Sequence, residues 1–400
     1  MKEWKTYRVG DICSSISETY KVHAKEVVLI NTSDVLEGRC LNHELVPNKD
    51  LKGQFKKVFK FGDILYSEIR PANKRFAYID FDATNYIAST KLMVIRNNDK
   101  VTNRFLYHYL KSESTIAELQ AFAESRSGTF PQITFSELSQ LEISIPDIET
   151  QVAISSFIDT LESKIELNRQ INDNLEQQAQ ALYKSWFIDF EPFKDGDFVE
   201  SEFGLIPEGW KVVELGEVTK QITEKVKNRT DVKVLSPVTT GELVLSEEYF
   251  TKQVFSESIA KYITVKPLQF AYNPARVNIG SLGMNTFEFD GCVSPVYVVF
   301  ECERDYQYFF DYFRKTEAFK EEVLARAIGG VRQSLSYKDF SLIKLIYPPR
   351  TIVEKFNRLY SNILVSINHN KVEANNLTDM RDTLLPKLMS GELKINEIGC

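Results

Sequence analysis

The sequence predicts two α/β (α+β) globular parts that alternate with two long helices in an internal repeat. Residues 351–393 repeat the pattern of residues 149–191 at an offset of 202, and Arg70 recurs as Arg276 at an offset of 206. In both helical segments, apolar residues recur at alternating spacings of four and three, which predicts a coiled-coil seam. Because a solenoid needs many short repeats to bury its core, two copies with so long a period indicate a duplicated module.

The order of the elements follows from this repeat. Pro, Gly and acidic residues predict a linker after the first helical segment, with few contacts across it. The expected order is the first globular part at 1–146, the first helical segment at 147–191, the linker at 192–208, the second globular part at 209–348, the second helical segment at 349–393 and a tail at 394–400. The expected strands are 27–30, 63–66, 91–95, 269–272 and 296–300, and the expected shorter helices are 103–123 and 305–327.

Each long helix is expected to reach about 35–40 residues, or about 50–60 Å, and Pro386 is expected to punctuate the second. A helix with one apolar stripe needs a partner, and the simplest partner is its own duplicate. A seam Asn either fixes the register or faces water where the seam frays, and both explanations stay open. The seam residues are Ile158, Leu161, Ile165, Asn168, Leu175 and Leu182 in the first helix, and Tyr360, Ile363, Ile367, Asn370, Leu377 and Leu384 in the second.

The net charge of −7 argues, for the whole chain, against a nucleic-acid binder, which usually carries a basic patch. The charges are segregated, however. Residues 147–200 hold twelve Asp/Glu against four Lys/Arg, whereas residues 49–75 hold eight Lys/Arg against three Asp/Glu. Basic loops therefore lie in a globular part, although a solvated surface of mixed charge explains the same numbers. Five cysteines without a CxxC pair, and no signal-peptide or membrane-spanning pattern, predict a cytoplasmic protein.

The motifs of catalysis are missing from the sequence. It has no Gly-x-x-x-x-Gly-Lys-Ser/Thr or Gly-x-Gly-x-x-Gly loop for nucleotide phosphates, and no Asp/Asn-Pro-Pro-Tyr/Phe loop of an adenine-N6 methyltransferase. The four histidines lack metal-ligand spacing, so each is expected to be a surface or capping group, and no metal site is expected. Binding is therefore a better prediction than catalysis, and no residue is predicted to be catalytic.

Two loops in each globular part are candidates for contact with a phosphate or a base edge. In one, an Arg follows a strand on a Pro-stiffened loop, which suits such contact, although pairing with the domain's own carboxylates explains it equally well. In the other, a Gln that could read adenine follows a Gly turn, but that Gln could also brace the loop. The candidates are Arg70, Lys74, Arg75, Arg276 and Asn278 in the first kind of loop, and Arg126, Thr129, Gln132, Arg326, Arg332 and Gln333 in the second.

Three motifs carry a family resemblance. WFIDFEPF at 186–193 closes the first helical segment, GLIPEGW at 204–210 opens the second globular part, and LLPKLMSGEL at 384–393 closes the second helical segment. Together with the alternating plan, these motifs resemble the specificity (S) subunit of type I restriction–modification enzymes. The resemblance covers essentially the whole chain, and it is specific in the helical segments and only generic in the globular parts.

The resemblance implies a non-catalytic DNA-specificity subunit. Two target-recognition domains would each read one half of an asymmetric, bipartite site, and an antiparallel coiled coil would set the gap between them. Two methyltransferase subunits would bring S-adenosylmethionine for N6-adenine methylation, and motor–nuclease subunits would bring ATP and Mg, so no cofactor is expected on this chain. Two alternatives stay open: a duplicated scaffold or adaptor for protein partners, and a cryptic nuclease or methyltransferase.

Overall fold

The computed structural model describes residues 4–21, 24–49, 51, 53–125, 131–250, 255–256, 258–326 and 334–397. The chain divides into two compact units: Met1–Arg169 with Lys371–Cys400, and Gln170–Asn370. Each unit holds one globular part and a segment of both long helices. The predicted fold class, two α/β parts that alternate with two long helices, is confirmed.

Two four-stranded sheets form the first globular part. Their strand orders are β2-β11-β8-β9 and β6-β3-β10-β7, and β1 pairs separately with β12. The elements up to the first long helix are β1 (Lys5–Arg8), β2 (Cys13–Ile16), β3 (Glu26–Ile30), β4 (Val35–Leu36), β5 (Arg39–Cys40), β6 (Leu45–Pro47), β7 (Phe55–Lys57), β8 (Ile64–Ser67), β9 (Phe76–Tyr78), β10 (Tyr86–Ser89), β11 (Leu92–Asn97), α1 (Asn103–Leu110), α2 (Glu113–Ser125), α3 (Phe135–Leu138), β12 (Glu142–Ile145) and α4 (Ile148–Phe187). Strands β3 and β10 are parallel, and β8 and β11 are antiparallel with Ser67 opposite Leu92.

The second globular part repeats the order of both four-stranded sheets and of the separate strand pair, and it lacks a counterpart of the β4–β5 pair among the described residues. Its elements, from the linker onward, are β13 (Phe198–Ser201), β14 (Gly204–Pro207), β15 (Lys211–Glu214), α5 (Leu215–Val218), β16 (Thr219–Ile222), β17 (Lys233–Pro237), β18 (Leu243–Leu245), α6 (Ser246–Tyr249), β19 (Ile263–Val265), β20 (Phe270–Tyr272), β21 (Leu282–Met284), β22 (Gly291–Val293), β23 (Val298–Cys302), α7 (Gln307–Phe313), α8 (Glu317–Arg326), α9 (Tyr337–Phe340), β24 (Lys344–Tyr347) and α10 (Arg350–Ser390). The sheet orders are β16-β23-β20-β21 and β18-β17-β22-β19, β15 pairs with β24, and β17 and β22 are the parallel pair. The internal repeat predicted from the sequence is therefore present in the fold.

Each of the predicted amphipathic helices is broken into two. The sequence predicts continuous helices over 103–123 and 305–327, whereas the structure has α1 with α2, and α7 with α8. A hydroxyl side chain causes each break by capping the second helix. Ser112 Oγ accepts a hydrogen bond from Thr115 N at 3.4 Å, and Thr316 Oγ1 accepts one from Phe319 N at 3.3 Å. Such a side chain favours the start of a new helix over the continuation of the old one.

The long helices α4 and α10 contain 40 and 41 residues, which corresponds to about 60 Å at about 1.5 Å per residue. Helix α10 continues through Pro386, where an end was expected, and ends at Ser390. Its neighbours Leu385 and Leu388 are buried in the core of the first unit, and this packing outweighs the backbone hydrogen bond that a proline cannot donate. Among the described residues, no helix combines the length and the apolarity that a membrane span requires.

The main core of each unit combines a globular part with one segment of each long helix. The helix residues in the first core are Ile154, Ile158, Leu385, Leu388 and Met389, and those in the second core are Ala179, Tyr183, Phe187, Val353, Phe356 and Tyr360. The start of α4 and the end of α10 therefore belong to the first unit. The end of α4 and the start of α10 belong to the second.

The segment predicted as a linker is folded. It contains a 3₁₀ turn at Glu191–Phe193 and the antiparallel hairpin β13–β14, whose turn is closed by the Ser201 hydroxyl. The rings of Phe190 and Phe193 each pack on Trp210, with centroids 5.3 Å apart. The expectation of few contacts across this segment is therefore wrong, because aromatic packing joins the end of α4 to the start of the second globular part.

Candidate nucleic-acid interface

The first candidate loop follows β8 and is held by backbone hydrogen bonds. Arg70 N–H donates to Pro131 O at 3.1 Å and Ile133 N–H donates to Glu68 O at 2.8 Å, so the loop is joined to the segment that carries Gln132. Arg70 is exposed and has a φ of 45°, in the left-handed region. A non-glycine residue in this region costs about 1–3 kcal/mol, and such residues concentrate at functional sites. The structure thus brings together two predicted contact residues, Arg70 and Gln132.

Two neighbouring cations of this loop are used by the fold. The Arg75 guanidinium donates from Nη1 to the backbone carbonyls of Ser33 at 3.0 Å and Val35 at 3.4 Å. Lys74, which also has a positive φ of 52°, forms an ion pair with Glu113 of α2. These contacts tie the loop to other elements of the same unit. Lys74 therefore pairs with a carboxylate of its own unit, which is one of the alternatives that the sequence left open, whereas Arg75 binds backbone carbonyls, which neither alternative described.

The sequence did not single out Lys91, which lies beside Gln132. Its Nζ is 3.4 Å from Gln132 Oε1 and 3.4 Å from the Glu68 carboxylate. The Lys91 side chain is 50% exposed, so its ammonium group lies on the solvent side of this loop pair while its charge is paired with Glu68. The sequence signal for it was weak, because Lys91 stands at the edge of a predicted strand and Gln132 lies far along the chain.

The corresponding loop of the second globular part follows β20 and is closed by its own backbone. Asn273 N–H donates to Ser281 O at 3.0 Å, and Ser281 N–H donates to Arg276 O at 3.1 Å. A 3₁₀ turn at Val277–Ile279 lies between them and contains Asn278. The Arg276 side chain is exposed, and in the part of the chain that the structure describes it has neither a hydrogen bond nor an ion pair. Unlike Arg75, Arg276 is therefore available to a ligand.

Two cavities flank this second loop. One, of about 520 Å³, is lined by Asn273 and Arg276 together with residues that follow β17 and β22. The other, of about 630 Å³, is lined by Asn278 and by basic side chains that include Lys184 and Lys320. Arg276 and Asn278 are predicted contact residues of the same loop, but they line different cavities.

Most of the other predicted loop lies outside the described residues. The candidates that fall there are Arg126, Thr129, Arg332 and Gln333. Arg326 is described as the last residue of α8. Its Nη2 donates to Leu342 O at 3.2 Å, and its guanidinium forms an ion pair with Glu322. Arg326 is therefore bound within its own unit.

All twelve predicted seam residues are buried or half-buried. The two seam asparagines have hydrogen-bond partners. In the first unit, Asn168 is 1% exposed and its Nδ2 donates to Glu373 Oε2 at 2.7 Å. In the second unit, Asn370 Nδ2 donates to Asn172 Oδ1 at 2.9 Å. Asn168 is buried and Asn370 is half-buried, and paired amides of this kind fix the register of a coiled coil, because a shift would leave them unpaired.

Within each unit the two helix segments run antiparallel, since one residue number rises along the contact as the other falls. The pairs that show this direction are Glu162–Arg381 and Asn168–Glu373 in the first unit, and Asn172–Asn370 and Tyr183–Phe356 in the second.

His108 is buried, so the prediction of a surface or capping group is wrong for this histidine. It lies on α1 with 0% exposure, and its Nε2 is 3.0 Å from Asp159 Oδ1 of α4. Burial lowers the pKa of His108 and outweighs the hydrogen bond to Asp159, so the ring is neutral at pH 7 and donates its Nε2–H. Burial also acts to raise the pKa of Asp159, but His108 and Arg104 together hold that pKa below its ordinary value.

The atoms of His108, Asp159 and Glu162 that could ligate a metal lie within 4.8 Å of one another. Both carboxylates already have cationic partners, however. Arg104 Nε lies 3.5 Å from Asp159, and Lys111 forms an ion pair with Glu162. Because these cations balance the carboxylates, the cluster is better explained as a buried polar network that ties α1 to α4 than as a metal centre.

Comparison with known proteins agrees with this architecture. Residues 1–177 match the family model of the type I restriction modification DNA specificity domain. The chain is 32% identical over 462 residues to the type I restriction enzyme HindI specificity subunit of Haemophilus influenzae, a match that covers 98% of this chain and 100% of that protein. It is 26% identical to the type I restriction enzyme MjaIX specificity subunit of Methanocaldococcus jannaschii, with 88% and 82% covered.

A solved structure has the same fold. The S subunit of a type I restriction–modification system from M. genitalium aligns with a TM-score of 0.56 and covers 97% of this chain and 96% of its own. The sequence identity is 15%, so this likeness concerns the fold alone.

Proposed function

This chain belongs to the family of type I restriction–modification DNA specificity subunits, and we propose that its two globular parts are target-recognition domains that each read one half of an asymmetric, bipartite DNA site. It is a DNA-specificity subunit and not itself an enzyme. Its partners are DNA and the other subunits of a restriction–modification complex.

One observation carries the two-reader proposal: the same sheet order occurs twice, but the equivalent loops differ in chemistry. Arg70 sits on a left-handed backbone that is joined to residues 131–133, whereas Arg276 lies on a self-closed loop beside a cavity. Base contacts come from such loop side chains, while a scaffold positions them. A repeated scaffold with different loops suits two different half-sites.

The paired long helices act as the ruler between the half-sites. Three features support this role: helices of 40 and 41 residues, a seam without an exposed position, and hydrogen-bonded seam amides that fix the register. A coiled coil of fixed register has a fixed length. Modules that read one face of B-DNA are separated by about 34–36 Å, one helical turn, or a multiple of it, and helices of about 60 Å are of the length that this needs.

We extend the proposal to the remaining parts of the complex from the family resemblance. Two methyltransferase subunits, one for each half-site, bring S-adenosylmethionine and methylate adenine at N6. Motor–nuclease subunits bring ATP and Mg, and this chain carries no cofactor of its own. Residues 147–200 hold twelve acidic residues, six of them in α4, and this excess supports a division of surfaces, because an acidic surface repels DNA and is left to protein subunits.

A domain exchange tests the two-reader proposal. Residues 1–145 are replaced by the matching domain of the Haemophilus influenzae relative, and the chimera is expressed with its methyltransferase in a strain without other adenine methylation. The donor side chains that face Ile154, Ile158 and Leu388 are replaced by those of this chain, because these helix residues complete the first core. The second globular part and its aromatic contacts around Trp210 stay untouched.

We expect single-molecule methylome sequencing to show one changed half-site, with the other half and the gap retained. The unmodified chain is the control for the parental motif. If an assembled chimera changed both halves together, a composite DNA site would replace the two-reader proposal. If the unmodified chain conferred no methylated motif, the assignment of DNA specificity would fail.

A further inference from the structure

The cavity beside Arg276 has the size of a small-ligand site. Its volume is about 520 Å³, within the range of about 300–1,000 Å³ that small-molecule pockets occupy. A DNA duplex cannot enter such a space, because its major groove alone is about 12 Å wide. One nucleotide can. The cavity is formed where β17, β20 and β22 end and where α6 ends, so loops of several strands converge on it.

Aromatic side chains form a large part of the cavity wall. Tyr249 is 53% exposed, and the Phe250 ring meets it edge to face with centroids 5.0 Å apart. The aromatic residues that line the cavity are Tyr249, Phe250, Phe255, Tyr262 and Tyr297. An aromatic face open to solvent binds nucleobases by stacking, which contributes about 1–3 kcal/mol per base and tolerates any base. The Phe250 contact holds the Tyr249 ring in place for such stacking.

The polar groups of the cavity are of two kinds. Some are used by the fold: Ser281 Oγ donates to Pro237 O at 2.7 Å, and the Tyr262 hydroxyl accepts from Ser256 N at 3.1 Å. Others have no partner for their donor groups among the described residues. These are the guanidinium of Arg276, the amide NH₂ of Asn273 and the hydroxyls of Ser294 and Tyr297.

The open groups match the parts of a nucleotide. A guanidinium binds a phosphate in a planar, forked geometry. An amide NH₂ donates to the acceptor atoms on a base edge, and hydroxyls suit either a base or a sugar. Asn273 Oδ1 already accepts from Ala275 N at 3.0 Å, which fixes the amide so that its NH₂ is the free end.

From this combination we propose that the cavity binds a single nucleotide unit, with the base against Tyr249 and the phosphate at Arg276. The nucleotide has two possible sources: a residue extruded from bound DNA, or a free nucleotide. Binding of an extruded DNA nucleotide rests on the proposed function, because that function places the second half-site at this loop. The size and chemistry of the cavity do not depend on the proposed function. Extrusion costs a few kcal/mol of unpairing and unstacking, which stacking inside the cavity offsets.

The first arm of the test uses duplexes with the methylated motif and the full chain without its methyltransferase. Single mismatches are scanned through the second half-site, except at the methylated adenine, and affinity is measured by fluorescence anisotropy. A weakened pair lowers the cost of extrusion, so we expect one mismatch to tighten binding. Tyr249→Ala and Arg276→Ala should each remove this gain and weaken binding between about 5-fold and about 150-fold, which corresponds to about 1–3 kcal/mol. Tyr249→Phe should keep it, because the stacking face remains.

Arg304→Ala is the matched control, because Arg304 is exposed in the same unit and is not part of the cavity wall. The second arm titrates the four deoxynucleoside monophosphates and inorganic phosphate into the same proteins by calorimetry. Binding that Arg276→Ala abolishes, without any mismatch effect, identifies a free nucleotide as the ligand.

If neither arm responds while the duplex with the motif still binds, the nucleotide site is overturned and the proposed function stands. If the duplex does not bind at all, the proposed function fails, and the calorimetric arm alone decides whether the cavity is a nucleotide site.

Discussion

Leu388 tests whether the end of the chain belongs to the first unit. Its side chain has 0% exposure and packs in the core that contains β8 and β11. Leu388→Ala removes three carbon atoms, worth about 2.4 kcal/mol at about 0.8 kcal/mol each. The cavity that remains adds to this loss, so we expect a destabilisation of about 2.5–5 kcal/mol. The loss should fall on the first unit, although Leu388 lies almost at the other end of the sequence.

Native-state hydrogen exchange read by mass spectrometry measures this loss unit by unit. Amides of β8 and β11 should exchange at least about 50-fold faster in Leu388→Ala, since about 1.4 kcal/mol corresponds to a factor of ten. Amides of β20 and β23 should keep their protection. Met380→Ala is the control on the same helix, because Met380 is 47% exposed and should change stability by less than about 0.5 kcal/mol. Faster exchange in β20 and β23 with β8 and β11 unchanged would refute this division of the chain.

Three further comparisons test the roles of single side chains and of the helices. Arg75→Ala should lower stability by about 1–3 kcal/mol in urea titrations, because two backbone carbonyls lose their donor, and it should leave the salt dependence of DNA binding unchanged. Arg276→Ala should leave stability unchanged and reduce the salt slope of DNA binding by about one. A shared phenotype would contradict this distinction between the two arginines. Burial lowers the pKa of His108, so below its ordinary pKa of 6.5 the unfolded chain binds a proton that the folded chain does not. The free energy of unfolding should therefore decrease as the pH is lowered below 6.5, by up to about 1.4 kcal/mol per pH unit. His108→Gln should lack this decrease. Equal pH dependence in both proteins would show that another group is responsible. Inserting one heptad after Leu175 and one after Leu377 preserves the seam and adds about 10 Å to each helix. The unspecified gap of the methylated motif should then lengthen by about three base pairs. Retained methylation with an unchanged gap would exclude the proposal that the helices set the gap.

Periodic features were predictable from the sequence, because they repeat over many residues. The seam at spacings of four and three predicted both long helices, and the apolar runs predicted β3, β8, β11, β20 and β23. Single contacts were not predictable. The break after α1 depends on the Ser112 hydroxyl, and the burial of His108 depends on Asp159, 51 residues away. Neither produces a period in the sequence.

The sequence also could not show which of the candidate contact residues are held by the fold. Arg70 and Arg75 are the same residue type in one basic stretch, and composition treats them alike. The structure separates them, because Arg75 is bound to two carbonyls of a neighbouring turn and Arg70 lies exposed on a left-handed backbone. Lys91 was missed because its neighbour Gln132 is brought beside it only by the folding of the loop.

This separation gives a physical rule for changing the specificity of the chain. A cation that holds the scaffold cannot be exchanged without a loss of stability, since its removal takes a donor from backbone carbonyls. A cation without an internal partner, such as Arg276, can be replaced at little cost to the fold. The loop at 273–281 closes on its own backbone through Asn273, Arg276 and Ser281, so its side chains can vary while its shape is kept. In the first globular part, Lys74 and Arg75 bind their loop to other elements, so a change there alters shape and contact together. New half-site specificities should therefore be selected more readily from libraries at 273–281 than from libraries at 70–75, and an equal yield of folded, altered readers from both would contradict this rule.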